Sequence, residues 1–172
     1  MFRLIPLAFL IAVSLGCGGG KPSGSGAAKP GGPPDVHDHT DHDRGKLSLA
    51  DFGPHHAALT AHISKDENNL EILFETQDKD PKPVSLPLSK FTATVKRAGD
   101  DKSYELTFEP APKEERKTDK DGECSHFEAK APWMKPDDTL AVTAMIDLAG
   151  KPRKVEWKDF SPKKYNHADE KK

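Results

Sequence analysis

The feature that most constrains this chain is a period-two alternation of apolar and polar side chains, repeated through residues 55–160. Successive side chains of a β-strand point to opposite faces, so such alternation marks a strand with one buried face. Leu70, Ile72 and Phe74 alternate with Glu71, Leu73 and Glu75; Phe91, Ala93 and Val95 alternate with Thr92, Thr94 and Lys96. Tyr104, Leu106 and Phe108 follow the turn-like Gly99-Asp100-Asp101, which predicts a hairpin. Phe127, Ala129 and Ala131, then Leu140, Val142, Ala144 and Ile146, then Val155 and Trp157, continue the pattern. Segment 78–87 carries Pro81, Pro83 and Pro87 and reads as a loop or sheet edge. The charged stretch 110–122 reads as a solvated excursion between strands.

Alternating rather than continuously apolar runs imply antiparallel pairing. The expected fold is therefore all-β, an antiparallel immunoglobulin-like β-sandwich of about seven strands, with a small β-barrel as the alternative. The Cys–Trp–Cys hallmark of true immunoglobulin domains is absent, so the likeness is one of architecture. Trp133 and Trp157 are expected to anchor the core, given the area each ring buries.

Upstream of the strands the text changes character. Arg3 precedes an apolar run over residues 4–15, and Gly16-Cys17 closes it. This is the pattern of a secretory signal, too short to span a bilayer as a mature helix. The small residue before Cys17 resembles the signal of bacterial lipoproteins, in which that Cys is lipidated; Ser14 stands where the family usually has a branched apolar residue. The resemblance implies a signal peptide over 1–16 and a lipid anchor at Cys17 facing the periplasm, with plain secretion as the alternative. Residues 18–34 are almost wholly Gly, Pro, Ser, Lys and Ala, which suits a spacer. The expected division is thus 1–16 leader, 17–52 lipid-anchored linker, 53–160 β-sandwich domain and 161–172 polar tail.

Composition narrows the function classes. The chain has 172 residues and a formal net charge of −2, no electrostatic footprint for nucleic acid. With Cys17 lipidated, Cys124 is the one thiol left, and no intramolecular disulfide can form. No G-x-S-x-G elbow, P-loop or H-E-x-x-H is present. Ser161 and Lys164 have S-x-x-K spacing, but without partner motifs. The expectation is a protein that is not an enzyme.

What chemistry there is lies in histidine. Residues 35–43 read D-V-H-D-H-T-D-H-D, and His37, His39 and His42 among Asp side chains can wrap a divalent ion. A solvated spacer is the competing use of the same residues. In the domain, His56 and His62 share strand parity, as do Cys124 and His126, with His55 at the mouth of the first strand. A Cys-x-His pair near Met134 suits copper or zinc.

Gly53-Pro54-His55-His56, Pro81-Lys82-Pro83-Val84 and Glu123-Cys124-Ser125-His126-Phe127 resemble segments of uncharacterised small bacterial lipoproteins with a His-bearing β-sandwich. Related segments occur beside heavy-metal efflux adaptors. The resemblance spans residues 53–160 and implies metal handling, with efflux or other envelope proteins as partners. The expected function is a membrane-anchored periplasmic module that binds or buffers a transition metal such as Cu or Zn. A structural or protein-interaction sandwich of the envelope is the alternative.

Overall fold

The structure, a computed structural model, describes residues 43–116, 118–148 and 150–167. Cys17 and the histidines His37, His39 and His42 lie outside the described residues. Among the described residues nine strands form in chain order: β1 (Asp43–Arg44), β2 (Leu47–Phe52), β3 (His55–Ile63), β4 (Asn68–Thr76), β5 (Phe91–Arg97), β6 (Ser103–Pro110), β7 (His126–Lys130), β8 (Leu140–Leu148) and β9 (Lys151–Phe160). One short 3₁₀ turn, Lys113–Glu115, is the only helical element among the described residues. The protein is all-β, and every neighbouring pair of strands is antiparallel.

The strand order is β1-β2-β3-β4-β7-β6-β5-β8-β9. Strands β4 to β7 form a Greek key, with β5 and β6 inserted between the spatial neighbours β4 and β7. The sheet folds over at β6, whose pairing with β7 is confined to Glu109↔Glu128 and Pro110↔Phe127. One layer is then β1-β2-β3-β4-β7 and the other β6-β5-β8-β9. On the far side β9 returns to β2, where the Trp157 indole N–H donates to the Ser48 carbonyl at 2.9 Å. A sandwich and a nearly closed barrel therefore meet in one continuous sheet.

The alternation read from sequence fills the space between the layers. Phe91 stacks on Phe108 at 5.1 Å within one layer, and meets Phe127 edge-on at 5.1 Å and Phe74 at 6.3 Å across the core. Phe52 packs on Phe74 at 5.2 Å from β2. Trp157 is buried in this core, whereas Trp133 is half-buried, stacked on Tyr104 at 4.0 Å with Arg97 over both rings.

Three boundaries differ from expectation. The segment 17–52, expected to be linker throughout, contributes β1 and β2. The inward residues of β2 are Ser48, Ala50 and Phe52, two of them small, while Leu47 and Leu49 are only half-buried, so the strand carries a weak apolar signature. The excursion 110–122 is not merely solvated. Asp119 takes hydrogen bonds from the Ser85 hydroxyl at 2.8 Å and the Ser125 N–H at 2.9 Å, which pins the loop to the sheet. Burial raises the Asp119 pKa, but these bonds and Arg116 outweigh it and hold the carboxyl below its usual range. Within the expected polar tail, residues 161–167 are docked, with Tyr165 buried and stacked on Phe160 at 5.1 Å.

The Trp157–Ser48 bond ties β9 to β2. Trp157→Phe removes the donor and strands a buried carbonyl, which is expected to lower the unfolding free energy by about 2 kcal/mol. Urea denaturation followed by circular dichroism measures it; an unchanged midpoint would show that the two edges are held by other contacts.

Candidate metal centre

A carboxylate in the middle of an apolar strand organises the outer face of the first layer. Leu70, Ile72 and Phe74 turn into the core, so parity sends Glu71 to the opposite face. Glu71 sits across from Thr60 on β3 and Glu128 on β7. Its diagonal neighbours are His62, which pairs with Asn69, and His126, which pairs with Leu73. Diagonal positions on one sheet face are within reach of long and aromatic side chains.

The fourth element comes from the end of the chain. The pairing of β2 with β3 stops at Ser48↔Leu59, which leaves the edge of β3 open from Thr60 onward. Segment 161–167 takes over that edge. The Ala61 N–H donates to the Tyr165 carbonyl at 3.0 Å, the His167 N–H to the Ala61 carbonyl at 3.0 Å, and the Ile63 N–H to Asn166 Oδ1 at 2.9 Å. This pairing sets the His167 ring edge-on to His62, with centroids 5.6 Å apart.

The resulting group is His62, Glu71 and His167, whose ligand atoms all lie within 4.8 Å of one another. His126 Nε2 lies 3.0 Å and His167 Nε2 3.2 Å from the same oxygen, Glu71 Oε2. The other nitrogen of His126, Nδ1, lies 3.6 Å from Glu115. Glu71 is only 5% exposed. Burial alone would raise its pKa, but the hydrogen bonds and charges of His126 and His167 prevail and lower it from 4.5 to about 2. Glu128 is driven the other way, first by burial and then by the carboxylates of Glu115, Glu71 and Glu67.

The protons of His167 follow from its neighbours. The Thr60 hydroxyl lies 2.6 Å from the Tyr165 carbonyl, which has no hydrogen to give, so Thr60 donates there. What Thr60 then offers His167 Nδ1, 3.2 Å away, is a lone pair, and Nδ1 must carry the proton. Nε2 is thereby turned toward Glu71 Oε2 with either a second proton or a lone pair. A lone pair facing a carboxylate at 3.2 Å is repulsive unless a cation lies between them. A hydroxyl that fixes one nitrogen of an imidazole while the other faces a carboxylate is the outer support that metal-bound histidines use.

The residues expected from sequence fall into separate places. His62 is in the group and His126 adjoins it. His56 is on the same face but six residues from His62 along β3, about 20 Å at strand rise, and lies beside Asp51 at 3.7 Å. His55 has inward parity and pairs with Phe52 and Thr76 at the strand's start. Cys124 does not share a face with His126. A bend at Ser125 breaks the alternation before β7 begins, and Cys124 enters the core with its Sγ 3.0 Å from the His126 carbonyl. Burial pushes its thiol pKa up, away from the thiolate that metals prefer. Met134 is likewise core. The five domain residues therefore do not converge, and the soft Cys-x-His site does not form. Glu71 and His167 were not foreseen; a Glu flanked by Leu70 and Ile72 was the available signal for the first, and no local signal marks the second.

Glu71 has a lower pKa folded than unfolded, so its contribution to stability is present above pH 4.5 and is lost as the pH falls toward 2. The stability gap between the wild type and Glu71→Gln should therefore be widest above pH 4.5 and close progressively below it. Urea unfolding at pH 7, 4.5, 3.5 and 2.5 tests this, and a gap independent of pH would contradict it.

Comparison with known proteins finds no matching family model, no similar curated protein and no similar solved structure.

Proposed function

We propose that this chain is a non-enzymatic module of the cell envelope, tethered through lipid on Cys17, that takes up or buffers a divalent transition metal. The observation that carries the metal assignment is the grouping of His62, Glu71 and His167, with the proton of His167 Nδ1 already committed to Thr60. Ligand atoms at about 2.1 Å from a tetrahedral ion stand about 3.4 Å apart. The three donors, within 4.8 Å of one another, would draw together around the ion, with His62 half-buried at the edge of the group. Two imidazoles and a carboxylate, with sulfur held away in the core, favour Zn(II) or Cu(II) over Cu(I). The leader and Gly/Pro spacer support the envelope address, and the linker histidines His37, His39 and His42 supply a second, looser donor set on the same tether.

Calorimetric titration of the untagged full chain with Zn(II) separates the two sets. The variant carrying His37→Ala, His39→Ala and His42→Ala is expected to keep one equivalent of tight binding. Adding Glu71→Gln or His167→Ala should weaken that equivalent by about tenfold or more. If the linker variant loses all binding, the domain site is refuted and the metal belongs to the linker.

A further inference from the structure

The donor group spans a seam in the chain. His62 and Glu71 stand on the paired strands β3 and β4, whereas His167 stands on a segment outside the strand ladders that meets β3 at the single bridge Ala61↔Asn166. Its bonds include the two backbone contacts at Ala61, the Asn166 side chain on Ile63, the Thr60 hydroxyl on the Tyr165 carbonyl and beside His167 Nδ1, and the Lys163 N–H on the Pro136 carbonyl. Tyr165, buried against Phe160, is the segment's apolar anchor. Resting on the metal assignment above, we propose that the cation is a clasp: it fastens segment 161–167 onto the open edge of β3, and its loss frees that edge.

The cation gains a third ligand only when the segment is docked, so it binds the docked state more tightly than the open one. A ligand stabilises the state it prefers in proportion to that preference. Opening uncovers the Ala61 and Ile63 N–H groups and the Ala61 carbonyl, at the point where β2 no longer covers β3. An exposed strand edge with such groups can accept an added extended chain. The metal state of the face would thus set whether β3 presents an edge to a second polypeptide. By linkage the coupling is reciprocal: the factor by which docking tightens metal binding is the factor by which the metal favours docking.

Residue-resolved amide hydrogen exchange on the full chain, with His37, His39 and His42 replaced by Ala, tests the clasp. Saturating Zn(II) is expected to slow exchange at Ala61, Ile63 and His167 by about tenfold or more, and to leave the β5–β8 ladder unchanged. Zn(II) that binds in calorimetry yet leaves those three amides unaltered overturns the clasp while the metal site stands. Failure of Zn(II) to bind at all overturns both. Tyr165→Ala gives an independent reading, since it removes the anchor and no ligand atom. It should speed exchange at Ala61 in the metal-free protein, and saturating Zn(II) should slow that exchange again by about tenfold or more; bound Zn(II) that leaves the faster exchange of this variant unaltered refutes the coupling.

Discussion

Two layers of one sheet share a single core, and the contact that joins them is the ring cluster of Phe74, Phe91 and Phe127, flanked by Phe52 and Phe108. Apolar residues make up only 34% of the chain, so what there is must be concentrated. Burying each such ring contributes on the order of 2–3 kcal/mol. Cys124 is a free buried thiol, so packing holds the described domain without help from it. The cluster also dictates the opposite face. Because Ile72, Phe74 and Phe127 must point inward, Glu71 and His126 have no choice but to point outward. The donor face is in this sense the reverse side of the core.

That reverse side is itself covered, which is unusual for a polar face and costly for a carboxylate. An ionised group removed from water must be compensated by charge and hydrogen bonds. Glu71 receives both from His126 and His167, and the price of burial is visible in the opposite displacement of Glu128, whose pKa is raised by burial and by the carboxylates around it. Glu115 on the 3₁₀ turn and Glu71 on β4 hold the His126 ring between them. A face assembled from β3, β4, β7, a loop and the C-terminal segment is held together by the charges it gathers.

Much of the fold was legible because alternation is local. The β5–β6 hairpin and the apolar faces of β4 and β8 all follow from period two, the hairpin with the help of its turn residues. Where the sequence misled, the cause is specific. In β2 the inward set is Ser48, Ala50 and Phe52, so two of the three positions that matter carry small side chains and the apolar signature is weak. At Cys124 the parity rule was extended one residue past a bend, which reversed the side it faces. His62 and His126 were found by residue type, but their common centre was not, because Glu71 resembles any solvent-facing residue of an alternating strand. His167 could not be found at all, since its place depends on pairing with a strand more than a hundred positions away.

The mixed origin of the donors bears on what the centre is suited to do. A structural zinc site closes four ligands around the ion and fixes the fold by doing so. Here three donors stand on a face whose fold is already held by the ring cluster, and two of them, His62 and His167, are half-buried and reachable from water. Glu71 is buried and locked by His126, whereas His167 is the more exposed member, on segment 161–167. Rigid support for one ligand with freedom in another permits an ion to enter and leave without disturbing the core. On the metal reading proposed above, such a division fits a site that exchanges its ion better than one that stores it permanently.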